Sequence, residues 1–264
     1  GSSRCSDTST ITITSSNAWW QVKGGNIHAD IGAVWSRIPS SCTGVCKPYL
    51  ILNDISGTTG LVSHYNTVNI GSGTGISEDN NNWQAKSKYK GVKTDYAYFK
   101  AILQEDPAGL KEWDGHRPVG NGVFLANTGV TETNIDDSWA FGATRKIVLL
   151  VPNDIKITRN ITVTEGGFLA IISSGNITIA DNVTNVQAVL IADGQIATCE
   201  SVSCSSQLIG EGIFVGWADI DLRRDLSAGN GSAPAETFIY RADLQANAYN
   251  YLLKPAYRWQ EVAP

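Results

Sequence analysis

The phrases VLLVPNDIKIT (148–158), LAIISSGNITI (169–179), AVLIADGQIAT (188–198) and IFVGWADIDLR (213–223) decide the fold. Each is a short apolar run, a polar step holding Asn, Asp or Gly, and then an alternating strand. The first apolar residues after the step are Ile155, Ile177, Ile196 and Ile220, spaced by 22, 19 and 24 residues. A period near twenty, built of short strands and Asn/Gly turns, marks a solenoid in which each repeat stacks on the last. In NITI (176–179), Ile177 and Ile179 face the interior and Thr178 faces out, because strand side chains alternate. Asn at the corners is read as a residue that tolerates αL or bridge backbone. Leucine-rich repeats share the period, but their LxxLxLxxN spacing and repeat helix are missing. The expected fold is therefore all-β, a right-handed parallel β-helix, with a β-sandwich as the alternative.

Outward from that core the rhythm weakens. WQVKGGNIHAD (20–30) and LVSHYNTVNIG (61–71) are fainter copies, and LILNDIS (50–56) puts Ile55 only 13 residues before Val68. Residues 5–72 are accordingly expected to form irregular coils. Residues 73–145 read as an excursion packed on one flank: GSGTG (71–75), EDNNN (78–82), a helix at DYAYFKAIL (95–103) ended by Asp106-Pro107, WDGHRP (113–118), and a strand at GVFLAN (122–127). Regular coils fill 146–227. In 228–264 a loop precedes RADLQANAYNYLLKP (241–255), whose helical spacing suits a cap over an open solenoid end. Residues 1–4, opening Gly-Ser-Ser in a chain without Met, read as a vector-derived scar in place of an export signal or anchor.

Charged residues make up 17% of the 264-residue chain, against roughly 25% in ordinary soluble domains. The net charge of −5 and the lack of a cationic run argue against nucleic acid and anionic membrane as partners. No run of apolar residues is long enough to span a bilayer. Cys42 and Cys46 enclose three residues, and Cys199 and Cys204 enclose four. Two local disulfides fit these pairs and an oxidising compartment. A four-Cys metal site is the competing reading, but the spacing is not that of a zinc ribbon and no His lies close. Cys5 is left free or linked elsewhere.

Three segments carry a resemblance: NAWWQVKGGNIHAD (17–30), GGFLAIISSGNITI (166–179) and FIYRADLQANAYNYLLKPAYRWQEVAP (238–264). They resemble uncharacterised, exported β-helix surface proteins of uncultured candidate-phyla bacteria. The resemblance implies a cell-surface location and brings no catalytic residues with it.

Candidate chemistry is sparse. In WADIDLRRD (217–225), Asp219 and Asp221 should project together from the outer face, with Arg223 following. Such a pair suits acid–base work on a polysaccharide or hard-oxygen binding of Ca²⁺; a solvated Asp–Arg ladder is the plainer reading. His28 and His64 would form a His–Asp cluster with Asp30 if their strands stack. Trp83, Tyr89, Trp113, His116 and Trp139 are the candidate ligand contacts, since Trp and Tyr among polar neighbours stack on sugar rings. The plainer reading makes them a small core joining the excursion to the coils. Asn160, Asn176, Asn182 and Asn230 match the N-glycosylation pattern, three of them because the repeat puts Asn at a corner. No dedicated cofactor is expected. The expected function is an extracellular surface module for adhesion, envelope structure or glycan binding. A polysaccharide hydrolase or lyase and a pilus-associated subunit are the alternatives.

Overall fold

The computed structural model describes residues 18–30, 33–36, 38–39, 42, 50–52, 60–70, 84–127, 129 and 131–253. In chain order the amino-terminal strands are β1 (Trp20–Lys23), β2 (Ile27–Ala29), β3 (Ala33–Trp35), β4 (Ile51–Leu52), β5 (Val62–His64), β6 (Thr67–Asn69) and β7 (Gln84–Lys86). Helix α1 (Tyr96–Leu103) follows, then β8 (Leu110–Glu112), β9 (Gly122–Leu125), β10 (Glu132–Ile135), β11 (Trp139–Phe141), β12 (Lys146–Val151), β13 (Asp154–Ile157) and β14 (Ile161–Val163). The remainder is β15 (Phe168–Ser173), β16 (Ile177–Ile179), β17 (Asn185–Ala192), β18 (Gln195–Ala197), β19 (Leu208–Gly216), β20 (Asp219–Asp221), β21 (Glu236–Ile239) and helix α2 (Ala242–Ala246). Among the described residues every strand pair is parallel, so the antiparallel sheets of a β-sandwich are absent.

The spacing read from the sequence is the register of the five-stranded sheet, β10-β13-β16-β18-β20. Ile155 lies opposite Ile177, Ile177 opposite Ile196, and Ile196 opposite Ile220. The first three are buried, and each such side chain contributes roughly 1.5–3 kcal/mol by leaving water. Ile220, on the edge strand, is 38% exposed. The preceding apolar runs form the long sheet, in the order β4-β1-β21-β19-β17-β15-β12-β9-β8. In β15 all six residues are buried, because both faces of the sheet are covered. That double burial explains near-continuous runs such as FLAII, which alternation alone does not predict.

The regular parallel pairing begins upstream of Lys146. Residues 122–141, expected inside the excursion, pair β9 with β12, β10 with β13 and β11 with β14. Helix α1 forms where the sequence places it, with the Asp95 carboxylate accepting from the Tyr98 N–H at 3.0 Å as its N-cap. The carboxy-terminal helix takes a different place from the one expected. Leu244 and Ala248 join the same core as Tyr96 and Leu103, and the Tyr249 hydroxyl bonds the Asp106 carboxylate. α2 lies against the long sheet, where a Cβ at Gly212 of β19 would meet the Leu244 side chain at 3.2 Å, the segment after α2 reaches α1, and the strand that covers β21 is β1.

What pairs with the last strand is the beginning of the chain. β1 lies between β4 and β21, with Trp20 opposite Glu236 and Val22 opposite Phe238. The Trp19 indole donates to the Asn230 carbonyl, 211 positions away, at 3.0 Å. The amino-terminal strands thus stack beyond β21, not ahead of the regular rungs as chain order suggested. A second core, holding Trp19, Trp20, Leu50, Ile51 and Ile70, fills that end.

The corners show why Asn recurs. The Asp154 carboxylate accepts from the Asn176 N–H at 2.7 Å, and the Asn176 side-chain oxygen accepts from the Gln195 N–H at 3.0 Å. Asn160 likewise accepts from the N–H groups of Thr184 and Asn185 at 2.9 and 3.2 Å. Each corner side chain satisfies backbone of the next rung. The αL expectation fails, since among the described residues the only non-glycine with positive φ is Ser227. A Cβ at Gly194 would meet the Asn176 side-chain oxygen at 2.2 Å, so this ladder also dictates the glycine.

Next to the β1–β21 joint sits a buried polar knot. Arg224, 2% exposed, donates to the carbonyls of Thr198 (2.6 Å), Ala180 (3.1 Å), Asp181 (3.1 Å) and Ser206 (3.3 Å). Glu236 accepts from the Arg224 N–H at 2.8 Å and the Thr198 hydroxyl at 2.9 Å. Burial pushes the Glu236 carboxyl up to about 7, against the opposing pull of those donors and the Arg224 charge.

Two outcomes follow. Gly194→Ala should lower the urea-unfolding free energy more than Asn176→Ala, which loses about 1–2 kcal/mol. The double variant should lose less than the sum, because the clashing oxygen is gone. For Glu236, the folded state holds a proton that the unfolded chain releases above its ordinary carboxyl range. That contribution is complete below pH 4.5 and lost as pH rises through about 7. Unfolding free energy should fall by roughly 3 kcal/mol across that window, and Glu236→Gln should flatten the fall.

Candidate functional site

After β7 the chain runs from Ser87 to Asp95 without regular structure, crossing from the amino-terminal strands to α1. Three side chains hold the crossing down. Asp30 accepts from the Tyr89 N–H at 2.7 Å, the Trp217 indole donates to the Thr94 carbonyl at 3.1 Å, and Asp193 accepts from the Tyr96 N–H at 2.9 Å. The Tyr89 ring folds back over Gly91, where a Cβ would meet its hydroxyl at 2.3 Å, and that hydroxyl donates to the Val92 carbonyl. The result is a seam at which residues from both ends of the chain share a surface.

On that seam Tyr89 is 43% exposed and meets Trp217 edge-on, with ring centroids 5.7 Å apart. The His28 ring centroid lies 6.3 Å from that of Tyr89, and its Nδ1 is 2.9 Å from the Ser63 hydroxyl. The His28 Nε2 is 4.0 Å from Asp30. Lys93 sits over the Trp217 ring at 5.7 Å, and Lys88 over the exposed Tyr65 ring at 5.6 Å. Exposed π-faces with an imidazole, a carboxylate, a hydroxyl and ammonium groups alongside can stack on one face of a sugar ring and hydrogen-bond its rim.

The other residues singled out from sequence fall elsewhere. Trp113 and Trp139 are 6% and 1% exposed and stand edge to face, 6.0 Å apart, in the core. Their indoles are satisfied internally, by the His116 carbonyl and by Asp137. They serve packing, as the plainer reading had it, and not a ligand surface. His116 itself is exposed, in the β8–β9 loop at the opposite edge of the long sheet from β1. Trp83 lies outside the described residues.

Asp219 and Asp221 do sit on alternate positions of β20, but each carboxylate already has a partner. Asp221 is 2.7 Å from the Arg223 guanidinium, and Asp219 accepts from the Ile220 N–H at 2.8 Å. His28 and His64 lie on paired strands but are staggered: His28 is opposite Ser63, while His64 is opposite Ala29. Successive strand residues point to opposite faces, so the two imidazoles diverge and the expected cluster is not formed. Cys199 and Cys204 form a disulfide, with Cα atoms 6.2 Å apart. Of the first Cys pair, Cys46 lies outside the described residues, as does Cys5.

A second polar site went unread in the sequence. A depression of about 410 Å³ is lined by Asp181, Cys204, Ser206 and Asp225 among others, beside the Arg224 knot. Asp181 accepts from the N–H groups of Glu200 and Ser201 at 3.0 and 3.2 Å and from the Ser201 hydroxyl at 2.6 Å. The Ser201 hydroxyl bond, first among these, holds its carboxyl below the usual range. The missed signal was in LRRD (222–225). Alternation that turns Arg223 outward turns Arg224 inward, and a buried arginine needs a ring of acceptors.

Compared with known proteins, the chain matches no family model and no curated protein.

Proposed function

We propose that this chain is a right-handed parallel β-helix that works outside the cell as a non-catalytic glycan-binding surface module. The fold reading is supported by parallel pairing throughout and by rungs 19 to 24 residues apart in the five-stranded sheet. Parallel strand crossovers are right-handed in nearly all proteins. A cross-link between Cys199 and Cys204 favours an oxidising compartment.

One observation carries the binding reading: the exposed Tyr89 ring against Trp217, flanked by His28, Asp30 and Lys93. Rigid aromatic faces beside short polar groups recognise carbohydrate without a deep cavity. The hydrolase or lyase reading loses its support because Asp221 is engaged by Arg223 and Asp219 by the backbone.

The test is a glycan array with the wild-type chain, followed by titration of any hit. Tyr89→Ala should weaken the hit about tenfold, the equivalent of one stacking contact. Asp219→Asn/Asp221→Asn should bind as wild type, and no reducing ends should appear. Unchanged binding by a folded Tyr89→Ala variant would overturn the site; release of reducing ends that Asp221→Asn abolishes would restore the enzyme.

A further inference from the structure

The depression beside the Arg224 knot holds a set of atoms that the glycan reading does not use. A carboxylate oxygen of Asp181 and the sulfurs of Cys199 and Cys204 all lie within 4.8 Å of one another. While the two sulfurs are bonded to each other they cannot both hold an ion; parted by reduction, they and the carboxylate oxygen are near enough to close on one, given metal–sulfur bonds of about 2.3 Å and metal–oxygen bonds of about 2.0 Å. Asp181 is already aimed, because the Glu200 and Ser201 N–H groups and the Ser201 hydroxyl fix its orientation. Donors of that kind behind a ligating carboxylate hold it in place. The site also has an entrance, since Asp181 and Cys204 both line the open depression, with Asp225 in the same wall.

We infer that reduction of the Cys199–Cys204 bond converts this corner into a Cys₂Asp site for a borderline-soft ion such as Zn²⁺. The chain would then carry either a disulfide or a metal at one and the same place. A dithiol supplies two electrons and two protons; the sulfur–sulfur bond breaks, two thiols form, and the reductant leaves as its own disulfide. Metal entry releases both thiol protons to solvent, and each thiolate gives one bond to the ion. Thiolates select zinc-like ions over Ca²⁺ and Mg²⁺, which demand oxygen.

Either closure would serve the same part of the fold. Cys204 is bridged to Arg224 in parallel fashion, and the Asp225 N–H donates to the Cys204 carbonyl at 2.9 Å. The Asp181 carbonyl is one of the acceptors around the Arg224 guanidinium. A clamp across Asp181, Cys199 and Cys204 therefore holds two of the segments that surround the buried arginine.

Co²⁺ is the probe, titrated into the full chain and read by thiolate-to-cobalt charge-transfer absorption. Reduced wild type should take up one equivalent more than oxidised wild type and than Cys199→Ser/Cys204→Ser. Asp181→Asn should weaken that equivalent by about tenfold or more. A second reading needs no variant: Zn²⁺ should slow alkylation of Cys199 and Cys204 in the reduced wild type, with each cysteine followed by peptide mass spectrometry. Equal uptake with and without the two cysteines, or an alkylation rate at both that Zn²⁺ leaves unchanged, would overturn the site.

Discussion

The interaction on which the rest depends is the parallel pairing of β21 with β1. A stack of parallel strands satisfies its backbone by handing each N–H and C=O to the next rung, and the last rung has nowhere to hand them. Here the chain's own beginning takes that place. Ala235 donates to the Trp19 carbonyl at 2.7 Å, and Tyr240 to the Lys23 carbonyl at 2.9 Å, bracketing the four paired residues of β1. Among the described residues the free edge of β21 is covered by β1, and that of β1 by β4. That frees the carboxy-terminal helix to lie on the sheet, where Leu244 and Ala248 are buried with α1.

The joint carries an electrostatic burden. Glu236 faces the interior on the strand that meets β1, and Arg224 is buried beside it. A buried guanidinium is tolerable only when nearly every donor finds an acceptor, and four carbonyls from three separate segments provide them. Those carbonyls belong to residues 180–181, 198 and 206, so one side chain fixes the corners of successive rungs relative to each other. Burial pushes the Glu236 carboxyl up, and the Arg224 N–H, the Thr198 hydroxyl and then the Arg224 charge pull against it. The position of the final strand is thereby set by polar geometry as well as by packing, which leaves less freedom for a shifted register.

The parallel register of the five-stranded sheet was legible because isoleucine at one register is a local signal. The spacing of Ile155, Ile177, Ile196 and Ile220 is the pairing itself. Residues 122–141 follow the same plan, but Trp139 and the polar run of β10 disguised it, since only Thr133 and Ile135 of that strand are buried. The order of stacking had no local signal at all. Nothing in WWQVK says that its partner is ETFI, more than two hundred positions later, because pairing between distant segments is decided by which edge stays open. Composition likewise could not separate Tyr89 from Trp113. Both are aromatics in the same stretch, and only the assembled fold sends one ring to the surface and the other into the Trp139 core.

The seam that carries the candidate site exists because of that unpredicted order. Tyr89 comes from the segment after β7, His28 from β2 and Trp217 from the turn after β19, and the β1–β21 joint brings these elements to one end of the stack. A ligand that touches Tyr89 and Trp217 together is therefore also a strap between the amino-terminal strands and the regular rungs. Its binding free energy adds to the joint by mass action, and loosening the joint weakens the ligand by the same amount. Binding at this seam and the pairing of β1 with β21 would then be one equilibrium, because the surface is assembled only when the two strands have met.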